Sequence, residues 1–231
     1  MTKAQDFIKT HAPQYEGSDT IPHHAVLALM ESFKSHCMIE YLDTQLGRFL
    51  SQIDWNTTTV ILLSDNGSPP GTIGGGNYFR GVKGTVYEGG IKVPLFMKGK
   101  YVTSSGINDK LVNTTDIYST ILSIVTQNNI NIYDSYNLQP MLSGNGVTQR
   151  TFCYSEYFNP NGTTTPTILN KMVRNDQYKI VSTMTTTGPI IEFFDLINDP
   201  FEMTPLNIGT LNPIENSAYI NLMSIISTLG L

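Results

Sequence analysis

The sequence predicts an α/β protein. Part of a mainly parallel sheet flanked by helices is expected over residues 1–150. A small antiparallel sheet with a packed helix is expected over residues 151–231. Three observations carry this. A long helical pattern runs straight into an unbroken apolar run, Val60-Ile61-Leu62-Leu63, as in the helix-to-strand half of a βαβ unit. That run stops at Ser64-Asp65-Asn66-Gly67, and open α/β sheets place their ligands at the carboxyl ends of strands. From residue 151 onward, short β-rich runs separated by turn residues replace the helix–strand alternation.

Residues 22–53 read as one helix. Pro22 suits a first helical turn, and Asp19 or Thr20 can cap it. Ile39, Leu42, Leu46, Phe49 and Ile53 follow a 3-4-3-4 spacing and form one apolar face. The run from Val60 is short, unbroken and apolar, which predicts a strand buried on both faces. Residues 67–90 form a glycine-rich loop long enough to suggest function. Ile91–Met97 reads as a second apolar strand, with Pro94 assigning it to an edge or bulge. Val112–Val125 reads as a helix that Asn113 or Thr114 can cap, with Ile117, Ile121, Ile124 and Val125 as its buried stripe. Residues 126–149 read as loops and a short turn.

The runs at 151–157, 168–174, 178–181 and 190–195 predict an antiparallel meander. Asn212-Pro213-Ile214-Glu215 has the order of a capping box, with a proline in the first turn. A helix through about residue 229 should follow and pack on one face of the meander.

Composition excludes several classes. A chain of 231 residues with 40% hydrophobic and 14% charged residues can bury a sizeable core and is not of disordered type. The net charge of −5, without a basic cluster, argues against nucleic acid as a partner. No apolar run approaches the ~20 residues that span a bilayer. The opening residues 1–9 lack a hydrophobic signal core. The two cysteines, Cys37 and Cys153, allow at most one disulfide and are expected to be buried small apolar residues.

The candidate chemistry lies around residue 65 and in the loop after it. Asp65 and Asn66 are oxygen donors of the kind hard cations take. In Arg80-Gly81-Val82-Lys83-Gly84-Thr85-Val86-Tyr87-Glu88-Gly89-Gly90-Ile91-Lys92-Val93-Pro94, Lys83 is a compact positive charge held between glycines. It is not a phosphate-binding Walker loop, since no Gly-Lys-Ser/Thr occurs.

This pair of motifs, in this order and at this separation, resembles the sulfatases of the alkaline phosphatase superfamily. His11, in Thr10-His11-Ala12-Pro13, matches the position where the family carries a His-x-Pro segment. The resemblance implies a calcium site with Asp65 and Asn66 as metal ligands. It also implies catalytic roles for Lys83, against sulfate or leaving-group oxygens, and for His11, as hydrogen-bond donor and acid on departure. Phe194-Asp195-Leu196, then Asn198-Asp199-Pro200, is similar to the family's ending, and Asp116 is expected to be structural. The implied activity is calcium-assisted hydrolysis of a sulfate monoester, with a sulfated small molecule or glycan as partner. Family members are often secreted, periplasmic or lysosomal.

The sequence departs from the family pattern in two places. Family members carry an Asp-Asp metal pair near the start and a Cys-x-Pro/Ala-Ser-Arg segment whose Cys becomes formylglycine. Neither occurs in these 231 residues, and neither Cys37 nor Cys153 stands in that context. The expectation is therefore the C-terminal portion of a sulfatase, inactive alone, with apolar faces exposed where a missing N-terminal portion would pack. Two rival readings remain: a non-catalytic sulfatase-like module that binds an anionic glycan or partner, and a phosphonate or phosphodiester hydrolase of the same superfamily.

Overall fold

The computed structural model describes residues 23–70, 79–144, 146, 149–162 and 164–229. In chain order the elements are α1 (His23–Leu50), β1 (Thr59–Leu63), α2 (Glu88–Ile91), β2 (Leu95–Gly99), α3 (Asp116–Thr126), α4 (Gln139–Leu142), β3 (Cys153–Asn159), β4 (Ile168–Arg174), β5 (Tyr178–Thr185), β6 (Gly188–Asp195) and α5 (Pro213–Leu229). The architecture is mixed α/β, ending in a small antiparallel sheet and a helix. No described helix is long and apolar enough to cross a membrane.

The C-terminal sheet has the order β3-β4-β5-β6, each strand antiparallel to the next. It is covered on both faces, and strand alternation sorts its residues between them. Val173, Tyr178, Ile180 and Phe193 pack under Leu222 and Ile226 of α5. Cys153, Met172, Val181 and Phe194 pack on the other side against Val86 and Leu111. The glycine-rich segment before β2 therefore lies on the sheet face opposite α5. The capping box forms as expected. Asn212 Oδ1 accepts from the amides of Ile214 at 2.9 Å and Glu215 at 3.0 Å, while Glu215 Oε2 accepts from the Asn212 amide at 2.8 Å.

Several local expectations need correction. Among the described residues β1 pairs only with β2, and the pairing is antiparallel, Thr59 opposite Gly99 and Leu63 opposite Leu95. The connection explains this. The Ser64 amide donates to the Pro94 carbonyl, so β2 starts at the end where β1 stops, whereas a parallel neighbour requires a return crossover. The second strand begins after Pro94 rather than at Ile91, because Glu88–Ile91 form one helical turn and a ladder position suits proline poorly.

β1 is not buried on both faces, since Leu62, Leu63 and Phe96 are exposed. The apolar stripe of α1 is likewise open at Ile39, Leu42 and Phe49. Among the described residues nothing covers these faces.

Helix α3 differs in part from its expected orientation: Ile117 and Ile124 are half-buried. Ile121 and Val125 are exposed, and the buried face is Asp116, Ser119, Thr120 and Ser123. Those groups hydrogen-bond the backbone of the following loop. Thr120 Oγ1 accepts from the Leu138 amide, Ser123 Oγ from the Ile130 amide, and Asp116 Oδ1 from the Tyr136 amide. A long irregular segment needs partners for its backbone groups, and a hydroxyl-bearing helix face supplies them. Arg150 closes the same site by donating to both carboxylate oxygens of the fully buried Asp116, at 2.9 and 2.6 Å. The structural role expected of Asp116 is this.

Candidate active site

β1 delivers the tip Ser64–Gly67. Asp65 is exposed, and its Oδ1 accepts from the Asn66 amide at 3.0 Å. Asn66 is half-buried, and its Nδ2 donates to the Gly67 carbonyl at 2.9 Å. Ser64 Oγ closes the turn on the Asn66 carbonyl at 2.9 Å. The Gly67 amide then donates to the Gly90 carbonyl at 2.8 Å. A Cβ on Gly67 would lie 1.9 Å from the Gly89 carbonyl oxygen, so only glycine lets the two backbones meet.

Lys83 sits in a tight turn over Val82–Thr85. The Thr85 amide donates to the Val82 carbonyl at 3.0 Å, and the Val82 amide donates to Thr85 Oγ1 at 3.1 Å. Gly81 and Gly84 flank Lys83 at φ of 89° and 85°, in the left-handed region that glycine enters without penalty. The Lys83 amide donates to the Ser68 carbonyl at 2.9 Å. The turn also stacks on α2, where a Cβ on Gly90 would come within 2.3 Å of the Thr85 carbonyl oxygen. The tip bearing Asp65 and Asn66 and the turn bearing Lys83 are thus joined through backbone, with α2 as the common support. The Asp65 and Lys83 side chains are both exposed.

His11 lies outside the described residues. Among the described residues no group of three or more His, Cys, Asp or Glu could hold a metal ion. Asp65 and Asn66 nevertheless fit a hard cation in kind, with one carboxylate and one amide carbonyl. The Asn66 Nδ2 is committed to Gly67, which leaves Oδ1 as the ligand atom. Calcium takes six to eight oxygens, so these two would supply only part of a shell.

Beneath α2 lies a buried set of charges that sequence reading missed. Glu88 accepts from Arg174 Nη1 at 2.8 Å and from Lys179 Nζ at 3.1 Å. Lys179, with no exposed surface, also pairs with Glu202 at 2.7 Å. Glu202 Oε2 in turn accepts from the Glu88 backbone amide at 2.6 Å. Burial opposes ionisation of Glu88, but Lys179 and Arg174 outweigh it and hold its carboxyl below the usual range. For Glu202 burial prevails over Lys179, and its carboxyl is pushed up.

Arg80 anchors the other end of the segment. Its Nη1 donates to Glu192 at 2.9 Å and to the Glu202 carbonyl at 3.2 Å, and its guanidinium lies 4.0 Å over the Tyr87 ring. The Tyr87 hydroxyl closes the set with a short bond to Glu192. Glu88 stands inside the motif read from sequence, but the partners that give it a role come from distant strands. Cys153 is no nucleophile. Its thiol is buried, directed at the Val112 carbonyl, and pushed up to about 11 by desolvation.

Comparison with known proteins points to one family. The Sulfatase family model matches residues 34–126. Arylsulfatase J of Mus musculus is 40% identical over 72 residues, covering 30% of this chain and 12% of that protein. Arylsulfatase K of Canis lupus familiaris is 28% identical over 191 residues, covering 77% and 33%. The chain thus spans about a third or less of the length of these relatives. Among solved structures, the yidJ protein of Bacteroides fragilis superposes with a TM-score of 0.71 at 15% identity, over 98% of this chain and 50% of that one. A second, BT4656 in complex with D-glucosamine-2-N,6-O-disulfate, gives 0.62 at 16% identity over 95% and 45%. These two establish likeness of fold. The family match over residues 34–126, the relatives and the shared fold agree: this chain is similar to the sulfatases over most of its length.

Proposed function

We propose that this chain supplies the Asp65–Asn66 and Lys83 part of a sulfatase active site, and that the complete protein hydrolyses sulfate monoesters of a sulfated small molecule or glycan. The observation that carries this is the backbone junction: Lys83 to Ser68, and Gly67 to Gly90. It joins the Asp65–Asn66 tip and the Lys83 turn through backbone at one end of one strand, which supports this reading.

A sulfate monoester is anionic and leaves poorly until its developing charge is neutralised. Lys83, on a turn fixed by Gly81, Thr85 and α2, would hold a sulfate oxygen and steady the departing one. Asp65 and Asn66 would be two of the ligands of a calcium ion, whose contribution is further neutralisation of the sulfate oxygens. His11 would give the proton to the leaving oxygen. A glycan substrate is supported by the disulfated glucosamine named for the solved neighbour.

A second reading, binding without turnover, is favoured for the isolated chain by one observation. Cys153 is buried with a raised pKa, and neither cysteine has the formylglycine context. The 231-residue chain should therefore show no hydrolysis of 4-nitrophenyl sulfate. In amide NMR titrations, calcium chloride should shift Asp65–Gly67, and sodium sulfate should shift Lys83 and Gly84. Lys83→Ala should remove the sulfate response and keep the calcium one. Turnover that survives both Lys83→Ala and Asp65→Ala, or calcium shifts that avoid the tip, refutes the assignment.

A further inference from the structure

The buried charges beneath α2 touch neither the tip nor Lys83, yet they hold the element on which both rest. Each link is on the structure. Glu202 and Lys179 fix Glu88, by a 2.6 Å bond to its amide and a 3.1 Å bond to its carboxylate, and Arg174 takes the second carboxylate oxygen. Glu88 opens α2, and the next two residues are Gly89 and Gly90. Gly90 accepts from Gly67, which sets the Asp65–Asn66 tip. The same two glycines receive the turn bearing Lys83, with the Gly89 amide donating to the Arg80 carbonyl at 2.8 Å.

From this we propose that Glu202 and Lys179, from the C-terminal segment, are positioning residues for the candidate site. Through Glu88 they set the distance between the Asp65–Asn66 tip and Lys83. The antiparallel sheet is then part of the site's alignment, not an appendage to it.

Two features separate this from ordinary core packing. Glu202 adopts a positive φ of 58°, which disfavours any side chain larger than asparagine. That conformation aims its carboxylate at both the Glu88 amide and Lys179. Within α2 itself, Gly89 and Gly90 have no side chains, so Glu88 is the residue through which its start is fixed. A wrongly placed α2 would change the separation of the tip and the Lys83 turn, because each is held independently by contacts to Gly89–Gly90.

The proposal rests on the site assignment above, so its test must separate the two. The probe is inorganic sulfate, titrated into the full 231-residue chain and read at the Lys83 and Gly84 amides. Glu202→Gln and Lys179→Met should each weaken sulfate binding about 10-fold, the scale seen when groups that orient ligands are removed. Both should also shift the Gly67 amide before any ligand is added. Lys179→Arg should recover most of the binding.

Asp116→Asn serves as the control. It breaks a buried ion pair that does not touch α2, so it should lower stability while leaving sulfate binding and the Gly67 resonance in place. If Lys83→Ala abolishes binding while Glu202→Gln stays within twofold of the unmodified chain, the positioning role is refuted and the site assignment stands. If Lys83→Ala changes nothing, the site assignment fails and this proposal with it. Should Lys179→Met not fold, Glu202→Gln decides alone.

Discussion

Lys179→Met is the sharpest perturbation of the buried cluster. Lys179 is fully buried and lies 3.1 Å from Glu88 and 2.7 Å from Glu202. Methionine nearly preserves its length and apolar stem, so the change is chiefly the loss of one positive charge. Two carboxylates then face only Arg174. Removing one partner of a buried ion pair leaves an uncompensated charge and costs about 3–5 kcal/mol. For a chain of this size each kcal/mol lowers Tm by roughly 2–4 °C, so the loss should be about 6–20 °C. Urea denaturation at pH 7, with calorimetry alongside, measures it. Adding Glu202→Gln to Lys179→Met restores neutrality, with Glu88 and Arg174 still paired. The double variant should recover about 1–3 kcal/mol of coupling. A loss below about 1 kcal/mol for Lys179→Met, or strict additivity in the double variant, would show that these distances carry no energetic weight.

Two further measurements test other parts of the structure. Asn212→Ala removes the acceptor of two α5 amides and should cost about 1 kcal/mol in urea denaturation, with Glu215→Ala showing little extra loss on top of it. The pH dependence of stability should reveal the strained carboxylate. The Glu202 carboxyl is raised by burial, which outweighs Lys179, so the folded state binds more protons than the unfolded one between the ordinary glutamate range and the raised value. Stability falls as pH rises through that window. The urea midpoint of the unmodified chain should fall relative to Glu202→Gln across it, and parallel curves would contradict the assignment. Glu88 acts with the opposite sign: its depressed carboxyl contributes stability that is lost as pH drops below the ordinary glutamate range.

Local signals were readable from the residues themselves. The Asn212–Glu215 cap and the four-strand meander depend on groups a few positions apart, and both appear where the sequence placed them. The Asp65–Gly67 tip and the Lys83 turn were legible because glycines mark close backbone approach, and the approach is real at Gly67 and Gly90. The direction of β2 was not legible, because it is set by where the chain re-enters after residue 91. The buried face of α3 was not legible either. Periodicity ranks apolar residues as inward, but here the hydroxyls turn inward and bond the following loop. Lys179 was hidden for a related reason. In a meander, alternation alone does not tell which charged side chains a later-packing segment covers, and Arg174, Lys179 and Glu192 carry no local mark of burial. All three lie on the face that the glycine-rich segment covers.

Why charges should hold that segment, rather than more core, follows from what the segment is. Replacing a buried ion pair by apolar residues of similar volume is often neutral or stabilising, so stability alone does not explain Glu88, Lys179 and Glu202. Apolar contact is non-directional and tolerates a slide of α2 along the sheet. A carboxylate held by an ammonium and a guanidinium from adjacent strands, with a second carboxylate on its own amide, tolerates very little. β4 and β5 are locked in register, Arg174 opposite Lys179, so the two cations present a fixed pair of anchor points. A glycine-rich segment whose neighbours must stay in one alignment gains most from such a fixture. The cost of burying the charges is then offset by the alignment of the residues they support.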